Sequence, residues 1–80
     1  MASRRTITIV PSAIRDIHKI PRGKAATVTD AISALATDPT PFGHEVVEER
    51  PNTYKIRVGD YTVEYELIDE DIVKILIISL

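Results

Sequence analysis

The sequence has no cysteine, few glycines and no long hydrophobic run. Without cysteine, the chain has no disulfide framework, no thiolate metal site and no cysteine nucleophile, which fits a cytosolic protein. Its longest apolar run, residues 75–78, is far too short to span a bilayer, and its first residues lack the apolar segment and cleavage site of a signal peptide. Its three glycines do not form a phosphate-binding loop, and its two histidines do not stand at a metal-ligand spacing. These absences predict a cytoplasmic protein with no membrane span, no cofactor and no metal site.

The length of 80 residues predicts a single small domain over residues 1–80. A chain of this size buries only about 60% of the surface that its unfolded form exposes, so its stability should be modest. With 44% apolar and 28% charged residues, the composition is typical of a globular fold rather than a disordered segment.

The net charge of −2 hides an uneven distribution of charge along the chain. Residues 1–24 sum to +5, whereas residues 25–80 sum to −7. A basic end can contact phosphate. The alternative explanation is that these charges cover solvated helix and strand faces, and the overall acidity of the chain favours that alternative.

A β-hairpin is predicted where two alternating runs, residues 54–58 and 61–67, flank Gly59-Asp60. Glycine at the first central position of a type II′ turn fixes the register, which sets Lys55 opposite Glu64. One face of the hairpin is then apolar: Tyr54, Ile56, Val58, Tyr61, Val63, Tyr65 and Leu67. The other face is polar: Lys55, Arg57, Thr62, Glu64 and Glu66. Any chemistry of this chain is expected on the polar face.

The remaining pattern predicts a strand near residues 6–10, two helices and further strands. Pro21 separates the two helices, and Asp38-Pro39 ends the second. Residues 44–49 could form a short edge strand, and residues 72–80 are apolar on both faces, as expected for an interior strand. The predicted fold is α+β: an N-terminal strand and a two-helix antiparallel hairpin packed on one face of a three- to four-stranded antiparallel sheet.

This order of elements, together with residues 11–21, 38–41 and 54–61, resembles the RelE/ParE superfamily of bacterial toxins. The resemblance implies a twisted antiparallel sheet with an N-terminal helical hairpin. It also implies a cognate antitoxin, encoded beside the toxin, as a partner. Members of the RelE branch cut mRNA on the ribosome, and members of the ParE branch poison DNA gyrase. The ribosome with its mRNA, or alternatively gyrase, is therefore an expected target. Independently of the resemblance, a second copy of the chain could cover the far side of the strand predicted at residues 72–80, and the sequence leaves open whether such a homodimer forms.

Residue by residue, the resemblance is incomplete. Lys55 and Arg57 match the basic pair on the first arm of the hairpin in RelE-like nucleases, but Thr62 stands where the second arm usually carries an arginine. Residues 44–49 are acidic where the family is usually rich in lysine, and a further arginine and a terminal tyrosine or histidine of the family would lie beyond Leu80.

The candidate catalytic residues are Lys55, Arg57 and Glu64. Cleavage of RNA through its 2′-hydroxyl needs a base for that hydroxyl, cations for the phosphate and an acid for the leaving oxygen. Lys55 and Arg57 could hold the phosphate, and Glu64 could act as the base. The alternative explanation is structural, because the predicted register allows cross-strand ion pairs among the same three residues.

Tyr54, Tyr61 and Tyr65 could stack on bases, but their position on the apolar face predicts that they belong to the core. Two functions therefore remain open. One is a RelE-like ribosome-dependent mRNA endonuclease, weak or rebuilt around the candidate residues. The other is a non-catalytic module that keeps the toxin fold and binds an antitoxin or, as ParE-like members do, gyrase. The sequence leaves open whether the protein is an enzyme.

Overall fold

The computed structural model describes residues 4–80. Within this range the chain forms two helices and five strands, in the order β1 (Thr6–Ile9), α1 (Pro11–His18), α2 (Arg22–Ala34), β2 (Glu45–Val46), β3 (Thr53–Val58), β4 (Tyr61–Ile68) and β5 (Ile72–Ser79).

The strands of the described chain form one five-stranded sheet in the order β1-β5-β4-β3-β2. β5 lies inside the sheet, as its apolar sequence predicts, and β2 is an edge strand. The α+β fold with a helical hairpin is confirmed, but the prediction of a wholly antiparallel sheet of three to four strands is wrong. β1 joins as a fifth strand and runs parallel to β5, with Thr6 opposite Ile72. The helical hairpin leads from β1 at one edge of the sheet to β2 at the other edge, so β1 meets its partner only when the chain returns at β5.

The two helices begin and end at residues whose backbone preferences favour those positions. α1 starts at Pro11, where the missing N–H and fixed φ of proline suit the first helical turn. Ser12 therefore lies inside the helix and does not cap it, and the N-cap position is held by Val10. Pro21 separates α1 from α2, and α2 buries Val28 and Ile32, which are four residues apart and so lie on one face of the helix.

The hairpin of β3 and β4 has the predicted register, with Lys55 opposite Glu64 and Arg57 opposite Thr62. Gly59 has a φ of +61°, whereas Asp60 does not have a positive φ. These angles fit a type II′ turn and explain why glycine is needed at the first central position. The hairpin therefore fixes which side chains share the polar face.

The core lies between the helices and one face of the sheet. α1 packs on β5, and α2 contacts β3. The buried cluster contains Ala13, Ile20, Val28, Ile32, Leu35, Ile56, Val63, Tyr65, Val73, Ile75 and Ile78. Neither helix of residues 4–80 covers the opposite face of the sheet, which carries the polar side chains of the hairpin. Among residues 4–80, neither helix is long and apolar enough to cross a membrane.

Candidate functional site

The polar face of the hairpin lies on the side of the sheet that the helices leave open. Side chains of alternating residues on one strand share a face, so Lys55 and Arg57 project from β3 beside Thr62 and Glu64 of β4. Arg57 is exposed, and Lys55 and Glu64 are partly buried. The structure therefore brings the three predicted site residues together on one surface.

The ion pairs on this surface differ from those predicted. Lys55 and Glu64 stand opposite each other, but Lys55 Nζ lies 3.6 Å from Glu45 Oε2, and Arg50 Nη1 donates to Glu64 Oε2 at 3.4 Å. The predicted pairing of Glu64 with Lys55 or Arg57 is wrong because two other elements reach the polar face. Strand β2 places Glu45 opposite Lys55, and the turn between β2 and β3 carries Arg50 to Glu64.

A cavity of about 150 Å³ opens at this surface, lined by Gly43, Glu45, Lys55, Ile56, Arg57 and Thr62. It therefore has two cations and one carboxylate at its wall. In this ion pair 43% of the Lys55 side-chain surface and 69% of that of Glu45 remain exposed to solvent. An exposed pair of this kind contributes less than about 1 kcal/mol, so a competing anion can displace the carboxylate.

Arg57 makes no ion pair with any residue of the described chain. Its guanidinium can therefore bind an incoming anion without first breaking an interaction. A guanidinium binds phosphate through two parallel hydrogen bonds, whereas the Lys55 ammonium acts as a point charge. The arrangement is suited to binding a phosphate group at the cavity.

Glu45 and Arg50 are the residues of this site that the sequence did not identify. The acidic character of residues 44–49 departs from the basic pattern of the family and by itself indicates no partner for Glu45. The one available signal for Glu45 was the predicted short edge strand, which would have placed a residue beside Lys55. Nothing in the sequence signalled that Arg50 folds back over β4.

The tyrosines lie in or against the core, as predicted. Tyr65 is fully buried, and Tyr54 and Tyr61 pack against the buried cluster. His44 forms a hydrogen bond through Nδ1 with the carbonyl oxygen of Pro41 at 2.9 Å. Its ring packs edge-on against that of Tyr54, with 5.7 Å between the two ring centroids. Within residues 4–80, no three histidine or carboxylate side chains lie together in an arrangement that could hold a metal ion.

The family model of the ParE toxin of the type II toxin-antitoxin system, parDE, matches residues 7–79. The chain belongs to this toxin family. It is the toxin of a type II toxin-antitoxin system, and the resemblance to the RelE/ParE superfamily is confirmed. A comparison with curated proteins found no match.

Solved structures share the fold over nearly the whole toxin. A chain in the crystal structure of the toxin-antitoxin complex RelBE2 from Mycobacterium tuberculosis is 31% identical, with a TM-score of 0.81 over 95% of this chain and 96% of that one. A chain of the archaeal RelE-RelB complex from Pyrococcus horikoshii is 22% identical, with a TM-score of 0.80 over 99% and 94% of the two chains. The YoeB dimer from Staphylococcus aureus is 15% identical, with a TM-score of 0.76 over 96% and 97%. At these lower identities the likeness concerns the fold alone.

Proposed function

We propose that this toxin is a RelE-like ribosome-dependent mRNA endonuclease, neutralised by a cognate antitoxin and acting in the cytoplasm, where its substrate is. The observation that carries the proposal is the cavity at the polar face, with Lys55 at its wall beside Arg57, which has no ion pair within residues 4–80. The RNA phosphate at the cleavage point would occupy this cavity.

Each candidate residue has a defined task in this reaction. Arg57 and Lys55 bind the phosphate oxygens and stabilise the charge that develops on them. To do so, the Lys55 ammonium leaves its ion pair with Glu45 and pairs with the phosphate instead. Glu64 accepts the proton of the 2′-hydroxyl, whose oxygen attacks the phosphorus while the bond to the 5′-oxygen breaks. Arg50 orients the Glu64 carboxylate through the contact at 3.4 Å. The ribosome or its mRNA supplies the proton for the leaving oxygen.

The test is cleavage of a defined mRNA in a purified translation system, followed by primer extension. Removing both cations (Lys55→Ala with Arg57→Ala) and removing the base (Glu64→Gln) should each lower the cleavage rate by about 100-fold or more. Lys24→Ala is the matched control, since Lys24 is an exposed lysine that pairs with Asp60 at 3.7 Å at the turn. Cleavage that survives in both site variants, with folded proteins, would contradict this site.

A non-catalytic module that binds gyrase is the second candidate. It is favoured by the partners of Lys55 and Glu64, because Glu45 and Arg50 neutralise two of the three candidate residues in the structure. On this hypothesis the wild-type toxin leaves mRNA intact and inhibits DNA supercoiling by purified gyrase. The same preparation of protein should be used in both assays, so that one positive result decides between the two functions.

A homodimer is proposed only as a further assembly of the toxin. Sedimentation of the free toxin at several concentrations tests it directly: a single monomeric species throughout the range would contradict it.

A further inference from the structure

Glu45 places a negative charge at the wall of the cavity in which the RNA phosphate is proposed to bind. Among residues 4–80, the charged side chains that line this cavity are Lys55, Arg57 and Glu45. The other lining residues carry no charge: Gly43, Ile56 and Thr62. The wall of the cavity therefore has a net charge of +1, although it contains two cations.

The backbone holds Glu45 at this position whether or not its ion pair is formed. In the pairing of β2 with β3, Glu45 stands directly opposite Lys55, and opposite residues of antiparallel strands keep their Cβ atoms about 4.5 to 5.5 Å apart. When the Lys55 ammonium leaves Glu45 for a phosphate, the carboxylate loses its partner at 3.6 Å but stays beside the cavity. A bound phosphate therefore lies close to the negative charge of Glu45.

Glu64, a neighbouring carboxylate on the polar face, acts less strongly on this phosphate. It also stands opposite Lys55, but it does not line the cavity, and its Oε2 accepts a hydrogen bond from Arg50 Nη1 at 3.4 Å. Because the opposite charges of Arg50 and Glu64 lie close together, their fields largely cancel at the cavity. Glu45 therefore has the stronger effect on an anion in the cavity.

The effect of Glu45 depends on the charge of the phosphate. The energy between two charges is proportional to their product, so Glu45 repels a doubly charged phosphate twice as strongly as a singly charged one. The cost of removing an anion from water rises with the square of its charge. A wall of lower net charge therefore favours the singly charged anion, since it attracts the doubly charged one too weakly to offset that cost.

Phosphates of RNA and of free nucleotides differ in this property. An internal phosphodiester carries one negative charge, whereas a phosphate monoester, with a second pKa of about 6, carries nearly two at neutral pH. The bases and sugars of the two ligands are the same. The charge of the phosphate is thus a feature by which the cavity can distinguish an RNA chain from a free nucleotide.

We propose that Glu45 is a specificity-determining residue, which selects the internal phosphodiester of an RNA chain against phosphate monoesters. This role rests on the proposed phosphate site and states which ligand that site accepts. The selection arises by repulsion of the wrong ligand, which is a general source of specificity. It weakens the binding of every anion, because Glu45 also repels the diester, but it weakens the binding of monoesters more.

Two probes that differ in the charge of their phosphate test this role: uridine 5′-monophosphate and its methyl ester. At pH 8 the first carries about two negative charges and the second carries one. NMR titration of the free toxin at low ionic strength measures the dissociation constant of each probe. Glu45→Gln should strengthen binding of the methyl ester by about threefold and of the monophosphate by about tenfold, because the repulsion removed is twice as large for the doubly charged probe.

Glu48→Gln and Glu45→Asp are the matched controls. Glu48 is exposed in the same acidic segment but does not line the cavity, so its substitution changes the net charge of the chain equally. Glu45→Asp retains the charge at the cavity wall. Both controls should leave the ratio of the two dissociation constants within about 1.5-fold of the wild-type ratio. Equal gains for the two probes in Glu45→Gln, or the same change of ratio in Glu48→Gln, would overturn the role of Glu45.

Cleavage assays separate this role from the proposed nuclease function. In the translation system, uridine 5′-monophosphate should inhibit Glu45→Gln at a concentration about tenfold lower than it inhibits the wild type. A changed ratio of affinities in a toxin that does not cleave mRNA supports the role of Glu45 and contradicts only the nuclease. Loss of cleavage in Glu45→Gln, with both probes bound as in the wild type, would place Glu45 in the reaction itself and overturn its role in selection. Failure of the wild type to bind either probe would overturn both the phosphate site and the role of Glu45.

Discussion

Tyr65 links the buried centre of the sheet to the loop after α2. Its hydroxyl donates to the carbonyl of Pro39 at 2.6 Å, and its side chain is fully buried. Burial, followed by the nearby charges of Asp38 and Tyr54, raises the pKa of Tyr65 to about 12 from its ordinary value of 10.0. The neutral phenol is therefore part of the folded structure.

The stability of the toxin should consequently fall at high pH. Since the pKa of Tyr65 is higher in the folded state than in the unfolded state, its contribution is complete below pH 10 and is lost as the pH rises to about 12. The two-unit difference corresponds to about 2 to 3 kcal/mol. Urea unfolding of the wild type and of Tyr65→Phe at intervals from pH 9 to 12 measures it. The difference in unfolding free energy between the two proteins should shrink over this range, and a difference independent of pH would contradict the shifted pKa.

At the scale of single residues, the sequence predicts positions better than interactions. Alternation around Gly59 was sufficient to place Lys55 opposite Glu64, because both residues belong to one local hairpin. Their ion pairs were not predictable, because Glu45 and Arg50 come from a two-residue strand and a turn whose paths depend on the rest of the fold. The candidate site was therefore located from the sequence, but its electrostatic environment was not.

Two glycines in different elements should respond to alanine in opposite directions. Gly59 holds the hairpin turn at φ +61°, and Gly23 lies in the first turn of α2; an added methyl group would meet no atom within 4 Å at either position. Neither substitution therefore causes a steric clash, and their effects on stability differ because of the backbone conformation at each position. Gly59→Ala should destabilise the toxin by about 1 kcal/mol, whereas Gly23→Ala should stabilise it by about 0.5 kcal/mol. Urea unfolding measures both changes; a shift of the same sign in both variants would contradict this explanation.

The elements differ in how far the sequence determines them. Helix ends at proline and the register of the β3–β4 hairpin follow from local chemistry, so they were predictable. The parallel pairing of β1 with β5 was not, because it joins strands from opposite ends of the chain and depends on how the helical hairpin crosses the sheet. The wrong prediction of an entirely antiparallel sheet has this non-local origin.

For the whole molecule, binding of the antitoxin should raise thermal stability markedly. A small domain has little stability of its own, and a ligand that binds only the folded state adds about 2.7 kcal/mol at a concentration of 100 times its dissociation constant. In a domain of this size that corresponds to a rise in melting temperature of about 10 °C or more. Scanning calorimetry at increasing antitoxin concentration measures it. An unchanged melting temperature would contradict the pairing of toxin and antitoxin.

The position of β5 inside the sheet also sets the order in which the strands of a newly made chain can pair. β5 contacts both β1 and β4, so β1 has no strand beside it until residues 72–79 have been synthesised. Pairing between distant parts of a chain is slow, because a long loop must first be closed. We expect the hairpin of β3 and β4 to pair first and β1 to join the sheet only after β5 has formed.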